Sequence, residues 1–178
     1  MHTTARDANL LGALGTVLSD ALADAAELVG GASPAAAIVA LHGTSAGGTI
    51  DALAGRVGLS HSGTVRLVDR LVAEGLVERR RGADQRSAAL VLTPRGRRAA
   101  RRVLSRRDAN LQVLLALLTD DQRAAAIELV ETLLGAVGRR EGAEAQVCRL
   151  CDLEACGRSR GRCPVAPLAR RRQQTAKH

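Results

Sequence analysis

Four cysteines lie close together near the C-terminus, in the order Cys148, Cys151, Cys156 and Cys163. Their spacing is C-x2-C-x4-C-x6-C. A C-x2-C pair can place two thiolates on one ion, and the two following loops can return two more, which matches tetrahedral zinc. The segment is short, rich in Gly and Arg and almost without a core, so metal ligation would supply the order that burial cannot. The pattern predicts a metal site with zinc as its first candidate.

The spacing alone does not identify the metal. Cys163-Pro164 resembles the last ligand of some iron–sulfur sequences, although the intervals differ. Metal-free, redox-active thiols and thiols without a role are the other interpretations. Oxidation of two thiolates to a disulfide would eject zinc, and a cluster could change its charge or dissociate. Either event would disorder the segment, so redox or metal control of the rest of the chain is a hypothesis.

A second group of residues could bind a ligand through charge. Residues 60–107 contain thirteen arginines and four carboxylates, a net charge of +9, whereas residues 1–59 and 108–138 are net negative. Four of the arginines lie on or beside one tight turn in "GLVERRRGADQRSAALVLT", residues 75–93: Arg79, Arg80, Arg81 and Arg86. Positive charge concentrated in one segment predicts a polyanionic partner, and an ordinary solvated surface is the alternative.

The elements that carry these residues are predicted to be mainly helical. The chain is 46% hydrophobic with no Phe, Trp or Tyr, so its core must be aliphatic. This composition favours helices and argues against an aromatic platform for single-stranded nucleic acid. Apolar periodicity predicts six helices, with two short strands, "LVERR" and "SAALVLT", between the fourth and the fifth. The helices are predicted at 8–29, 34–41, 50–57, 61–74, 94–118 and 120–140.

The helix starts are predicted from capping residues. Ser33, Thr49 and Ser60 are expected to cap the second, third and fourth helices, and Thr93-Pro94 opens the fifth. Thr119 with Gln122 forms a capping box for the sixth. From Gly142 onward no regular structure is expected.

The third and fourth predicted helices, separated by Gly58-Leu59, form a helix-turn-helix. A helical wheel of residues 61–72 places one set of side chains inward: Thr64, Leu67, Val68 and Leu71. The opposite face carries Ser62, Val65, Arg66 and Asp69, with His61 and Arg70 at its borders. Such a face suits entry into the major groove. An ordinary helical hairpin is the alternative.

Each outward residue has an expected role on double-stranded DNA. Ser62 and Arg66 can donate to base edges or phosphates, and Val65 can touch a thymine methyl group. Arg70 borders this surface, and Asp69 is expected to orient Arg66 or Arg70.

The two strands after this helix would form a wing beside it. Arg86 is the candidate for the minor groove, and Arg79, Arg80 and Arg81 suit phosphates. Not all can engage at once, since alternate strand residues face opposite sides.

The sequence "LSHSGTVRLVDRLVAEGLVERRRGADQRSAALVLTPRG" resembles the winged helix-turn-helix core of MarR-type transcriptional regulators. The matching elements are "RLVDRL", "GLVERR" and the pattern Asp84-x-Arg86 before Leu92-Thr93. The resemblance extends in architecture from about residue 8 to 140. It implies an obligate homodimer with interleaved first, fifth and sixth helices, which reads a pseudo-palindromic operator and is weakened by a ligand or oxidant. It also implies that Asp84 supports the wing and Arg86.

The resulting fold prediction is mainly α with a small β-hairpin wing, a winged helix-turn-helix joined to a helical dimerisation domain. We expect a dimerisation helix in 1–32, the DNA-binding lobe in 33–93, two further dimerisation helices in 94–141, and a Cys-rich segment with a basic tail in 142–178. The predicted function is a homodimeric regulator of transcription, most simply a repressor. The alternative is a metal-handling or protein-interaction module whose winged fold docks protein.

Two further expectations come from what the pattern does not contain. The four histidines are scattered and adjoin no nucleophile or paired carboxylates, which predicts that the chain is not an enzyme. The N-terminus does not read as a signal peptide and no uninterrupted apolar stretch is long enough for a membrane span, so a cytoplasmic location is expected. The basic tail at 170–178 is expected to add non-specific affinity for DNA.

Overall fold

The computed structural model describes residues 4–44, 47–81, 88–140 and 142–165. Its elements follow the chain in the order α1 (Ala5–Glu27), α2 (Ala32–His42), α3 (Ile50–Val57), α4 (His61–Ala73), β1 (Val77–Arg81), β2 (Ala88–Leu92), α5 (Pro94–Leu115), α6 (Asp120–Gly138) and α7 (Ala143–Val147). A single 3-10 turn, Arg158–Arg160, follows α7. The prediction of a mainly helical chain with one small hairpin is confirmed.

Side-chain caps fix most of the helix starts. The hydroxyl groups of Thr49, Ser60 and Thr93 each accept a backbone N–H of the following turn, as predicted. Thr119 and Gln122 form the predicted capping box. A further capping box, which the sequence analysis did not foresee, starts α1 at Thr4. These bonds satisfy N–H groups that the helix itself leaves without partners.

The predicted cap of α2 is wrong. Gly31, and not Ser33, is the N-cap of this helix. Gly30 and Gly31 have φ angles of 81° and 109°, which let the chain turn sharply after α1. The N–H of Gly31 donates to Ala26 O at 3.1 Å, and Gly31 O then accepts from Ala35 N at 3.1 Å. Since one glycine both closes α1 and opens α2, Ser33 falls within the first turn of the helix.

Helix α2 lies at the centre of the hydrophobic core. Seven of its residues are buried: Pro34, Ala35, Ala36, Ala37, Ile38, Val39 and Leu41. Its small alanines allow the neighbouring helices to approach closely. The core around it is aliphatic, with Val68 and Leu71 from α4 and Val103 from α5. The buried face of α4 is therefore fixed by the same cluster that joins the lobe to α5.

The hairpin pairs β1 with β2 in antiparallel register, with Val77 opposite Leu92 and Arg79 opposite Leu90. Val77, Leu90 and Leu92 are buried, so one face of the hairpin belongs to the core. An isolated bridge adds Gly48 to the outer edge of β2, through bonds of 3.0 and 2.8 Å between the backbones of Gly48 and Leu90. The segment before α3 thus supports the hairpin, which the sequence did not predict.

The start of α5 is joined to the end of α4 at a tight junction. Gly75, with a φ of 68°, ends the α4 segment as predicted. The hydroxyl of Thr93 donates to Gly75 O at 2.7 Å and accepts from Gly96 N at 3.0 Å. A Cβ atom on Gly96 would overlap the backbone carbonyl of Leu76. Only glycine at this position lets α5 lie so close to the strand.

Helices α1, α5 and α6 leave much apolar surface exposed within one chain. Helix α1 packs on α5, where Asn110 Nδ2 donates to Ala21 O and to Asp24 Oδ2, both at 2.9 Å. Helix α6 has no buried residue among those described. The exposed large apolar side chains of these three helices include Leu10, Leu11, Leu14, Val17, Val113, Leu129, Val130, Leu133 and Val137.

The C-terminal segment contains more regular structure than predicted. Helix α7 and the 3-10 turn are short, and glycines with positive φ stand at their ends: Gly142, Gly157 and Gly161. These glycines allow short helical pieces in a sequence whose polarity suggested none.

Among the described residues, no single helix combines the length and hydropathy of a membrane span. Helices α1 and α2 reach that hydropathy only as a pair, and they are bent by 76° relative to each other.

Candidate functional site

The fourth helix presents the two faces that its periodicity predicts. Thr64, Leu67, Val68 and Leu71 are buried, and Thr64 also donates to Ser60 O at 2.9 Å. Ser62, Arg66, Asp69 and Arg70 are exposed, and Val65 is half-buried. The exposed face starts in the first turn, where Ser60 accepts from Gly63 N at 3.2 Å. Ser60, His61 and Ser62 are all exposed, so the N-terminal end of α4 is accessible to a large ligand.

Contacts between α3 and α4 hold the helix-turn-helix together. Leu53 is buried in the shared core, and Gly58 turns the chain in the left-handed conformation with a φ of 71°. On the surface, His61 Nδ1 lies 2.8 Å from Asp51 Oδ1. This contact links the first residue of α4 to the first turn of α3, so the angle between the helices is set at both ends of the turn.

Arg66 differs from the other predicted arginines of this surface whose side chains are described. It is exposed and makes no hydrogen bond or ion pair with any of the described residues. Arg70 instead pairs with Glu74 through its Nε atom at 2.7 Å. The Arg70 guanidinium also lies against Gly30, where a Cβ atom would overlap it. Arg70 therefore faces the turn between α1 and α2, whereas the guanidinium of Arg66 is not engaged by any described residue.

Asp69 links the helix to the hairpin. Its Oδ1 atom accepts from Arg79 Nη2 at 2.7 Å, and both side chains are about half exposed. The expectation that Asp69 orients Arg66 or Arg70 is wrong, because β1 brings Arg79 beside it. On the other face of the hairpin, Arg80 pairs with Glu78 at 2.5 Å and remains 63% exposed.

The tip of the hairpin is outside the described residues. Asp84 and Arg86 lie in 82–87, and the side chain of Arg81 is likewise not described. Their expected roles in supporting the wing and contacting the minor groove or phosphates stay predictions.

The basic surface continues on α5. Arg95, Arg98, Arg101 and Arg102 are exposed and form no ion pair with described residues. Arg97 donates from Nη1 to Leu92 O at 2.7 Å and so helps to join α5 to β2. Several cations thus remain available for a polyanion after the internal pairs are formed.

The four cysteines lie in one small cluster. Cys148 and Cys163 are buried, and Cys151 and Cys156 pack against them with Val165, Val147 and Leu134. All four are free thiols. They form two contacting pairs, Cys148 with Cys151 and Cys156 with Cys163. Among the described residues, no three His, Cys, Asp or Glu side chains are already arranged to hold a metal ion. The predicted zinc or iron–sulfur centre is neither confirmed nor contradicted by these pairs.

The two pairs place their thiols in different environments. The hydrogen bond with Cys148 lowers the pKa of Cys151 despite burial, and the positive charge of Arg107 acts in the same direction. Burial raises the pKa of Cys156 to about 11, and its hydrogen bond with Cys163 adds to this effect. Of these two thiols, Cys151 is thus the one more readily ionised.

The cysteine segment also closes a cleft that the sequence analysis could not locate. The cleft has a volume of about 520 Å³ and lies between the end of α2, α5 and residues 151–159. Val39, His42, Leu104, Cys151 and Leu153 are among its lining residues. The signal available in the sequence was Leu153, an apolar residue of a mostly polar stretch, which lines the cleft.

A comparison with protein families agrees with this geometry. The model of the MarR family matches residues 34–87, which include α3, α4 and the start of the hairpin but none of the cysteines. No curated protein matches the chain significantly.

Solved structures show the same fold over a longer range. The YusO protein of Bacillus subtilis is 23% identical, with a TM-score of 0.63 over 74% of this chain and 97% of its own. A MarR-family transcriptional regulator of Rhodococcus sp. RHA1 is 24% identical, with a TM-score of 0.59 over 76% and 96%. MepR of Staphylococcus aureus, a transcription regulator of the multidrug efflux pump MepA, is 16% identical, with a TM-score of 0.62 over 75% and 98%. The fold is therefore that of the MarR-family winged-helix proteins.

Proposed function

We propose that this chain is a homodimeric, sequence-specific DNA-binding regulator of transcription. The observation that carries the proposal is the exposed face of α4, where Ser62 and Arg66 are exposed and Arg66 has no ion pair with any described residue, beside a hairpin rich in arginine. The opposite face of the same helix is buried, so the helix is rigidly held while its polar face remains available. The MarR-family fold and the MarR-family match over 34–87 agree with this role.

The proposed mechanism divides the site into base-reading and positioning residues. The start of α4 enters the major groove, where Arg66 can donate two hydrogen bonds to guanine and Val65 can meet a thymine methyl group. Ser62 donates to a base edge or phosphate. Arg80 and the arginines at the start of α5 neutralise phosphates, which contributes affinity but little sequence information.

Arg79 and Arg70 have a second role in this mechanism. The Asp69–Arg79 pair sets the direction of the hairpin relative to α4, and the Arg70–Glu74 pair lies against the turn at Gly30. These arginines add positive potential at the DNA surface while they keep the elements in place.

The dimer is supported by the exposed apolar side chains of α1, α5 and α6. Within one chain, Leu11 of α1 is 62% exposed and Leu129 of α6 is 61% exposed. Exposed apolar surface on this scale is typical of a protein interface. A second copy of the chain would cover it symmetrically and present two α4 helices to one duplex, which predicts a pseudo-palindromic site.

The test is selection of bound duplexes from a random library with the purified chain. We expect enrichment of an inverted repeat whose half-sites are about one helical turn apart. The affinity for this site should fall steeply with salt. If no sequence is enriched and the salt dependence is shallow, the winged fold docks protein instead, in line with the alternative of an interaction or metal-handling module.

Repression is the simplest mode of regulation for this architecture, because a bound dimer obstructs a promoter without contacting any other protein. A reporter with the selected site placed across its promoter should be transcribed less when the chain is present. Increased transcription from the same reporter would identify an activator. We assign the chain no catalytic activity.

A further inference from the structure

We propose that Cys148, Cys151, Cys156 and Cys163 together bind one zinc ion as thiolates, and that this centre joins the DNA-binding lobe to helices α5 and α6. The metal assignment is independent of the proposed function. Only its effect on operator affinity depends on that function.

The thiols are themselves the core of their segment. Two of the three buried residues of this cluster are Cys148 and Cys163, and the third is Val165. The only regular structure of the segment is a helix of five residues and a turn of three. This local core is small, and ligation of one ion by four side chains would add order that so little apolar burial supplies only in part.

Two tight turns bring the cysteines of each pair together. Cys151 N donates to Cys148 O at 3.1 Å, which closes a tight turn at the C-x2-C pair, and the thiols of Cys148 and Cys151 are hydrogen-bonded within the same cluster. Arg162 N donates to Gly157 O at 3.1 Å, and this second turn brings Cys163 back to Cys156. The four cysteines therefore lie in one cluster, and a tetrahedral site requires the two pairs to move together around one ion.

Positive side chains near the thiols suit such a site. Arg107 acts on Cys151 and Arg158 acts on Cys156 through their charges. Zinc with four thiolates carries a net charge of −2, and nearby guanidinium groups offset it.

A pair of disulfides is less favourable than one metal centre. Disulfides within the two contacting pairs would close only loops of two and six residues, and short loops restrict the unfolded chain least. They would also leave the two halves of the segment unconnected. One ion bound by all four sulfurs links both turns.

The centre lies where three parts of the molecule meet. A Cβ atom on Gly43, at the end of α2, would lie 2.6 Å from Leu153 Cδ1. Arg107 of α5 donates from Nη1 to Leu150 O. A Cβ atom on Gly138, the last residue of α6, would lie 2.9 Å from Val165 Cγ1. The segment is thus packed against the lobe and both helices, so its order affects how the lobe is held.

Elemental analysis of the full chain, purified without air and without an affinity tag that binds metals, tests the metal assignment. We expect about one zinc ion per chain. Titration of the wild-type protein with an organomercurial should release the zinc as four thiols react. Iron with inorganic sulfide, or a metal-free chain with fewer than four reactive thiols, would overturn the assignment.

Cobalt substitution tests the ligands. Because the chain has no Trp, Tyr or Phe, thiolate-to-cobalt charge-transfer bands in the near ultraviolet are not hidden by ring absorption. A tetrahedral centre with four sulfurs gives these bands together with intense visible ligand-field bands. Weak visible bands, typical of octahedral oxygen ligands, would contradict the proposal.

Variants distinguish the four thiols from other ligands. Cys151→Ser and Cys163→Ser should each weaken zinc retention during dialysis against a chelator, whereas His42→Ala should retain zinc as the wild type does. His42 is the matched control because it lines the same cleft as Cys151. Loss of zinc in His42→Ala would show that the imidazole of His42 is a zinc ligand in place of one of the thiolates. If a serine variant fails to fold, the titration of the wild-type protein still tests the proposal.

The connection to the lobe is tested with Leu153→Ala. We expect this variant to bind zinc fully but to bind the selected operator about tenfold more weakly, because the segment no longer packs against α2. Removing zinc from the wild type should have an effect of similar size. Operator binding that is unchanged by both treatments would overturn the connection and leave the zinc centre standing. Absence of any operator would instead count against the proposed function alone.

Discussion

Among single residues, Arg66 gives the most specific prediction for operator binding, because its guanidinium is exposed and has no partner among the described residues. Arg66→Ala should weaken binding to the selected operator by about 1–3 kcal/mol and relax the preference at one base pair per half-site. Arg123→Ala is the matched control, since it removes the same charge from α6. Quantitative binding to a panel of single-base operator variants measures both effects. Equal losses for the two variants would mean that Arg66 acts through charge alone.

Arg80 is expected to behave differently, since it is exposed on the outer face of β1 and pairs with Glu78. Arg80→Ala should weaken binding to all duplexes alike and should lower the slope of log affinity against log salt by about one phosphate contact. Titrations at several salt concentrations check this. A change confined to one base position would place Arg80 in the groove.

The sequence was sufficient to assign the two faces of α4, because burial repeats with the period of the helix. It was not sufficient to find the partner of Asp69. Arg66 and Arg70 are the near neighbours on the helix, but Arg79 is ten positions away and reaches Asp69 only because β1 folds back beside α4. Contacts between elements depend on packing that a helical wheel does not contain.

At the scale of elements, the junction of β1 and α5 depends on Gly96. Gly96→Ala should destabilise the chain by about 1–3 kcal/mol or more, because the new methyl group would overlap backbone that cannot move independently. Gly55→Ala is the control. Gly55 also lies in a helix, but a Cβ atom there meets nothing within 4 Å, so this change should be neutral or stabilise by up to about 1 kcal/mol. Chemical denaturation followed by far-ultraviolet circular dichroism gives both values, and similar values would refute the overlap.

Most elements could be predicted because local signals agree with the final fold. The bounds of α3 were predicted to the residue, and the strands and α4 to within one residue at each end, since capping residues and glycines stand at the ends of these elements. The error at Ser33 has a local cause, because Gly31 was already used to close α1. The Gly48 bridge could not be predicted, because one pair of backbone bonds leaves no pattern in the side chains.

At the scale of the whole molecule, the exposed apolar side of α6 predicts that two copies assemble. Leu133 is 47% exposed on this helix. Leu133→Glu should lower the affinity of the dimer at least about thirtyfold, the effect of about 2 kcal/mol at an interface hot spot. Thr132→Glu places the same charge at the neighbouring exposed position and should remain dimeric. Light scattering after size-exclusion chromatography reports the mass, and a monomeric wild type would rule out the dimer.

The position of the cysteine segment was not predicted from the sequence either. The spacing of the thiols indicated a local site, and the segment was expected to have no regular structure. Its contacts instead depend on Leu150, Leu153 and Val165, which meet surfaces of α2, α5 and α6 that are distant in the chain. Isolated apolar residues in a mostly polar segment form no periodic pattern, so the surfaces that they contact cannot be inferred from the sequence.

The base of the hairpin is fixed at three places: the bridge to Gly48, the pair of Asp69 with Arg79, and the hydroxyl of Thr93. The conformational entropy of ordering this part of the chain is therefore lost during folding and not during association. An arriving duplex would meet a surface that is already organised. Calorimetry of operator binding should give a heat-capacity change that the contact area alone explains, without the excess that accompanies folding on binding.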